Sequence, residues 1–156
     1  MFVERIFIRP KLRAFQEERD IVEVQKGLGI VGDRHFALSR HTGENVTLVE
    51  AEEIELWCEE EGRELDLSMT RRNLVTRGAR LSSLVGVEFM VGAVRLRGIE
   101  LCEPCVVMAR PLSDDRKERS KIIARWARSA GLRADALAGG EIARGAPIEV
   151  LARKAY

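Results

Sequence analysis

The stretch VGVEFMVGAVRLRGIEL, residues 85–101, predicts two β-strands and thereby the class of the fold. Both of its halves are rich in β-branched residues, and they flank Gly92. In the second half Val94 and Leu96 alternate with two arginines, which is the period-two pattern of a strand that buries one face. Strands of this kind are therefore expected to form the core of the molecule.

Further β-like runs are distributed along the chain: VERIFI (3–8), DIVEV (20–24), NVTLVE (45–50) and APIEVL (146–151). Several short strands punctuated by glycine are typical of a barrel or of a strongly bent sheet. The expected fold class is therefore mainly β with a few helices, arranged as a barrel or as a strongly bent sheet. No internal repeat or Pro/Ser-rich linker divides the 156 residues, so we expect one domain spanning 1–156.

Two segments carry helical patterns and are expected to pack as lids on the sheet. The first spans roughly 49–62 and has Gly62 as its stop signal. The second spans roughly 114–130, with Ser113 as the expected N-terminal cap and Trp126 in its apolar stripe.

The composition excludes several classes of function. A formal net charge of +1 argues against the broad basic face of a nucleic-acid binder. No apolar stretch is long enough for a signal peptide or a membrane helix, so we expect a cytoplasmic protein with no membrane partner. In that compartment the three cysteines should be reduced thiols. Arginine outnumbers lysine 21 to 5, which suits phosphate binding, although a bias in codon usage explains it equally well.

Two cysteines follow the second strand in GIELCEPCVVMARP, residues 98–111. A structural zinc site would need a second CxxC or a close histidine pair, and the chain has neither. A thioredoxin-like redox pair would need a helix directly after the motif; because VVMARP is β-branched and soon meets Pro111, we expect no helix there. What remains is one working thiolate, with the other cysteine packing beside it or tuning it. Cys58, on the apolar face of the first helix, is expected to pack in the core.

Two polar stretches are candidates for a binding site. GIVGDRHF (29–36) places Arg34 after a glycine turn, where the backbone can approach a ligand and the guanidinium can reach an anion. A solvated surface turn is the alternative. MTRRNLVTRG (69–78) is interpreted as a strand whose Arg71 and Asn73 point to the same side and offer donors to a phosphate or a heterocycle edge. An edge strand protected by its charges is equally compatible with this pattern.

Four segments in this order resemble the MOSC domain family, named after the C-terminal part of molybdenum-cofactor sulfurases: GDRHFALSRHTGENVTLVE, TRRNLVTRG, GVEFMVGAVRLRGIELCEPCVVM and GLRADALAGGEIARGAPIEVL. The resemblance runs from Gly29 to about Leu151. It implies a MOSC-type bent β-barrel and, as cofactor, the molybdenum cofactor, a molybdenum pyranopterin.

The resemblance also implies roles for individual residues. Cys105 matches the family cysteine that ligates molybdenum or carries sulfur, which makes it the catalytic and metal-binding candidate. Cys102 matches a less essential neighbour in the cofactor site. Arg34 matches a cofactor-contacting arginine, and Arg71 with Asn73 matches the contacts to the pterin phosphate.

Three functions follow as alternatives. The first is a small oxidoreductase that reduces N-hydroxylated compounds, with Cys105 as the molybdenum ligand. The second is a carrier that takes sulfur as a Cys105 persulfide, or holds the cofactor in transit, without turnover of its own. The third is a non-catalytic sensor that binds an anion through Arg71. The first two imply the pterin cofactor and an electron-transfer or sulfurase protein as partners.

Overall fold

The computed structural model describes residues 1–38 and 41–151. Within them the strands are β1 Phe2–Ile8, β2 Glu17–Arg19, β3 Ile21–Gln25, β4 Gly29–Ile30, β5 Val46–Glu50, β6 Leu74–Arg77, β7 Glu88–Val91, β8 Val94–Leu101, β9 Leu132–Ala138, β10 Gly140–Ala143 and β11 Ile148–Val150. The helices are α1 Ala51–Glu60, α2 Val106–Ala109 and α3 Arg116–Arg125. The mainly β class with a few helices is therefore confirmed. None of the helices in these two ranges has the length and apolar character needed to cross a membrane.

Eight strands form one bent sheet in the order β11-β7-β8-β9-β5-β6-β1-β2, and β10-β3-β4 form a second. Neighbouring strands pair antiparallel except β5 and β6, which are parallel. An isolated β-bridge between Phe2 and Pro147 links the start of β1 to the segment before β11. One bridge is not a ladder of paired residues, so the described strands form a curled sheet that does not close. The structure is therefore a bent, open sheet rather than a closed barrel.

The two strands predicted from residues 85–101 are β7 and β8, which pair antiparallel. Val94 and Leu96 are fully buried and the intervening arginines are exposed, as the alternation predicted. Gly98 is required where β8 passes beneath a short 3₁₀ turn, because a Cβ there would lie 2.1 Å from the carbonyl oxygen of Leu84.

Helices α1 and α3 cover one face of the sheet, as predicted, and both are shorter than the sequence indicated. Their tryptophans Trp57 and Trp126 are buried with ring centroids 6.1 Å apart. Cys58 packs beside Trp57 in this apolar layer, which confirms its core role. The cap of α3 was predicted wrongly: Asp115 rather than Ser113 is the N-cap, because its carboxylate accepts the N–H three residues later at 2.8 Å.

Candidate functional site

A cavity of about 330 Å³ opens where β1, β4 and β8 end and β6 begins. Because β6 runs antiparallel to β1, the residues that precede β6 lie beside those that follow β1. The walls carry the acidic residues Asp33, Glu44 and Glu103 and a larger set of arginines, namely Arg9, Arg34, Arg71, Arg72 and Arg133. The cavity is therefore cationic and suited to an anionic ligand.

The structure brings four of the five predicted site residues together in this cavity: Arg34, Arg71, Asn73 and Cys105. The fifth, Cys102, is 2% exposed and belongs to the apolar cluster between the helices and the sheet. Burial raises the pKa of the Cys102 thiol, and the positive charges of Arg72 and Arg133 offset this effect only in part. Cys102 is thus held as a neutral thiol behind the site.

Cys105 is exposed and lines the cavity as the residue that precedes α2. The expectation that no helix follows it was wrong, because one helical turn spans Val106–Ala109. The β-branched pair Val106–Val107 argued against a helix, but the turn forms because it buries Met108 and Ala109 in the apolar layer. The Cys105 carbonyl accepts the N–H groups of both buried residues at 3.0 and 3.1 Å, which fixes the thiol at the cavity wall.

Arg71 reaches the cavity through an unusual backbone conformation. Its φ is 60°, in the left-handed region that glycine favours and branched or long side chains rarely adopt. The segment before Leu74 is therefore a turn and not the strand that was predicted, so strand alternation does not explain why Arg71 and Asn73 share the cavity. Because Arg71 adopts this costly conformation where it lines the cavity, its side chain is a candidate for ligand binding.

Arg9 is a site residue that the sequence analysis missed. It directly follows β1, is 7% exposed and lines the cavity. Burial lowers the pKa of its guanidinium, and the neighbouring charges of Arg34 and Arg71 lower it further. The only sequence signal was an arginine placed between a buried strand and Pro10. Within the described ranges, none of these three guanidinium groups has a carboxylate within ion-pair distance.

The cavity walls also contain buried polar atoms without partners. Among the described residues, four buried side-chain nitrogen or oxygen atoms lack a hydrogen bond, and three of them belong to cavity residues. These three are Arg9 Nη1, Arg34 Nε and Thr70 Oγ1. A buried donor without a partner costs about 1–3 kcal/mol, so a ligand with acceptor oxygens would stabilise these atoms if it bound here. The residues present therefore fit a phosphorylated ligand.

Asp33 organises one wall of the cavity. Its Oδ2 accepts the Arg9 N–H at 2.9 Å, and its Oδ1 accepts the His35 N–H at 3.0 Å and lies 3.3 Å from His35 Nδ1. Burial raises the pKa of the Asp33 carboxyl, but the hydrogen bonds from His35 and Arg9 outweigh it and hold the pKa below its ordinary value. Asp33 is therefore ionised at neutral pH and ties the loop after β4 to the end of β1.

The Asn73 side chain connects three segments of the cavity wall through hydrogen bonds. Its Oδ1 accepts the backbone N–H and the hydroxyl of Thr47 at 3.1 and 2.9 Å. Its Nδ2 donates to the Phe7 carbonyl at 3.2 Å and to Asp33 Oδ2 at 3.3 Å. The amide is thus fully engaged with protein groups, and it positions the ends of β1 and β5 and the loop after β4 around the cavity.

We expect Asp33→Asn to lower the free energy of unfolding at pH 7 by about 1.5–3 kcal/mol, because hydrogen bonds to a charged acceptor are lost. The folded-state pKa is depressed, so this stabilisation is present above the ordinary carboxyl pKa of 3.8 and is lost as pH falls through the folded value. Urea unfolding of both proteins at pH 7 and pH 3 would measure it. A difference that is the same at both pH values would contradict the role of the ionised carboxylate.

The part of the chain that the structure describes contains no group of three or more His, Cys, Asp or Glu side chains placed to hold a metal ion. The thiol that the cavity presents to a ligand is that of Cys105. A metal held in this cavity would therefore need further ligands supplied by its own cofactor.

Comparisons with known proteins agree with this architecture. The MOSC domain profile matches residues 32–149. The crystal structure of the YuaD protein from Bacillus subtilis superposes with a TM-score of 0.81 at 20% identity, over 95% of this chain and 93% of that one. YiiM from Geobacillus stearothermophilus gives a TM-score of 0.76 at 16% identity, over 97% of this chain and 75% of that one. YiiM from Escherichia coli gives a TM-score of 0.71 at 18% identity, over 98% of this chain and 71% of that one. A comparison with curated proteins found no match.

Proposed function

Since this chain belongs to the MOSC domain family, we propose that it binds a molybdenum pyranopterin and uses it to reduce N-hydroxylated compounds. One observation carries the proposal: a cationic cavity with three buried, unpartnered donors also presents a single exposed thiol. A phosphorylated pterin offers acceptor oxygens to the donors and a soft metal to the thiol. The donors and the thiol therefore match two chemically different parts of one ligand.

Different residues of the cavity would bind the metal and the phosphate of the cofactor. Cys105 would hold the molybdenum through its thiolate, while Arg9, Arg34 and Arg71 would bind the phosphate with charge-assisted hydrogen bonds. The buried hydroxyl of Thr70 would donate to the same group. When bound, the cofactor supplies a metal that exchanges an oxygen atom and two electrons with the substrate. The protein would hold that metal at the cavity wall through Cys105.

In the proposed reaction the N–O bond of a hydroxylamine or amidoxime breaks. Two electrons from a carrier protein and two protons are consumed, and the amine or amidine and one water molecule are formed. His35 is placed to pass protons, because its half-exposed ring lines the cavity while Nδ1 faces the Asp33 carboxylate. Its other nitrogen, Nε2, is the atom that would deliver a proton to the leaving oxygen.

Turnover with a small artificial reductant tests this proposal directly. Protein purified from a host that makes the molybdenum cofactor should oxidise two reduced methyl viologens for every benzamidoxime converted to benzamidine. Because electrons then reach the site without a partner protein, the assay depends on the chain and its cofactor alone. Cofactor-loaded protein that shows no benzamidoxime-dependent oxidation of viologen would contradict the proposed reduction.

The exposure of Cys105 also favours the sulfur-carrier alternative, because a donor protein can reach its thiolate. In that reaction Cys105 attacks the outer sulfur of a sulfurase persulfide, the sulfurase thiolate leaves, and Cys105 becomes a persulfide. Mass spectrometry of the freshly purified chain decides between the two functions. One added sulfur atom on Cys105 without bound metal would support the carrier function against the reductase.

Both functions place the protein in the cytosol. Each needs Cys105 as a reduced thiolate, and an oxidising compartment would not preserve an exposed thiol with a second cysteine three residues away. The expected protein partner is an electron carrier for the reductase and a sulfurase for the carrier.

A further inference from the structure

The most exposed large apolar side chains lie in the loops around the cavity. Phe15, Leu38 and Leu12 are 94%, 67% and 64% exposed, the three highest values for such side chains in the described ranges. Leu12 and Phe15 belong to the loop between Arg9 and Gln16, both of which line the cavity. Large apolar side chains that remain in water and cluster around a site indicate a surface for another molecule.

Two further segments complete this surface. Leu38 follows the cavity residues of the loop after β4, and Val106 and Val107 follow Cys105 and are about half exposed. We define the cavity rim as residues 9–16, 32–38 and 103–110. Each of these segments contributes both cavity-lining residues and exposed apolar side chains.

The cavity rim is basic, although the chain is almost neutral. Its three segments contain five basic residues and two acidic ones, which gives a formal charge of +3 against +1 for the whole chain: Arg9, Lys11, Arg13, Arg34 and Arg110 against Asp33 and Glu103. Arg9, Asp33 and Arg34 line the cavity, so the outward charge of the rim comes from the exposed Lys11, Arg13 and Arg110 against Glu103, a formal charge of +2. A partner that docks here is favoured if its own face is acidic.

We propose that the cavity rim is the docking surface for an acidic electron-carrier protein. The inference rests on the proposed function, because reduction consumes two electrons per turnover and they must enter near Cys105. A small apolar patch among mainly positive charges is suited to a transient complex, in which opposite charges steer the encounter and release remains fast. A second copy of this chain is a poor occupant, because two rims of the same positive charge repel each other.

Matched variants test the surface with a plant-type [2Fe–2S] ferredoxin as the acidic probe. Phe15→Ser and Arg13→Glu alter exposed rim residues whose side chains have no hydrogen-bond or ion-pair partner among residues 1–38 and 41–151. The controls are Leu56→Ser, on exposed α1 surface, and Arg144→Glu, in the turn that meets β1 at the end opposite Arg9. At low salt we expect each rim variant to bind the ferredoxin about tenfold more weakly than the wild type. The controls should bind it as the wild type does.

Turnover separates this inference from the function on which it rests. Both rim variants should keep wild-type activity with methyl viologen and lose it with limiting reduced ferredoxin. If the wild type is inactive with viologen, the proposed function fails, and ferredoxin affinity alone still decides the docking surface. Ferredoxin binding that is absent in the wild type, or unchanged in both rim variants, would overturn the inference. So would self-association of the wild type that Phe15→Ser abolishes, because the occupant would then be a second copy.

Discussion

Cys105→Ser is expected to abolish molybdenum retention and turnover while the fold stays intact. A serine hydroxyl remains protonated at neutral pH and lacks both the negative charge and the polarisable sulfur of a thiolate, so it is a much weaker ligand to the metal. Because Cys105 is exposed, the substitution should change the free energy of unfolding by no more than about 0.5 kcal/mol. Metal analysis after gel filtration and urea unfolding of the metal-free proteins would measure the two effects.

Cys102→Ala provides the matched control for this experiment and should show the opposite pattern. Cys102 is buried in the apolar layer behind the cavity, so its truncation leaves a small void and should cost about 1 kcal/mol of stability. Molybdenum content should stay close to that of the wild type. Retention of the metal by Cys105→Ser, or equal loss from both variants, would contradict the assignment of Cys105 as the ligand.

Arg71→Gly is expected to weaken cofactor binding at least tenfold without destabilising the protein. The substitution removes a guanidinium that would supply the cofactor with charge-assisted hydrogen bonds worth about 1.5–3 kcal/mol each. Glycine also relieves the left-handed backbone at φ 60° and removes a positive charge near Arg9. The free energy of unfolding should therefore stay equal or rise by up to about 1 kcal/mol. Urea unfolding and the pterin retained after gel filtration would measure the two quantities.

Arg71→Lys is the control that separates charge from backbone strain. Lysine keeps the positive charge and the left-handed conformation but loses the two-pronged fork, so pterin retention should fall between that of the wild type and that of Arg71→Gly. Its stability should match the wild type. If Arg71→Gly instead loses several kcal/mol of stability with unchanged pterin content, Arg71 serves the fold and not the ligand.

The sequence predicted those strands whose composition carries the signal. β7 and β8 combine β-branched residues with clear alternation, and both were found. β9 was missed because its buried positions after Leu132 are alanines, Ala134 and Ala136, so only the alternation itself indicated a strand. The helical turn α2 was missed because the local β-branched residues argued against a helix, whereas the burial of Met108 favours the turn.

The types of side chain in the site could be predicted from the sequence, but the tertiary contacts that bring them together could not. The segments that hold Arg34, Arg71 and Cys105 were recognisable because each breaks the pattern of its surroundings, and the structure places all three in one cavity. Arg9 was not recognisable, because its role depends on burial beside two other arginines that are distant in the sequence. The engagement of the Asn73 amide by protein groups likewise depends on tertiary contacts that no local pattern contains.

The molybdenum and pterin content of the freshly purified wild-type chain tests the central claim most directly. Protein from a cofactor-competent host should contain about one molybdenum and one phosphorylated pterin per chain, measured by elemental analysis and by the fluorescence of the oxidised pterin. Both should be absent from protein made in a host that lacks the cofactor pathway, with the same fold by circular dichroism. Folded wild-type protein from the competent host that contains neither molybdenum nor pterin would contradict the account.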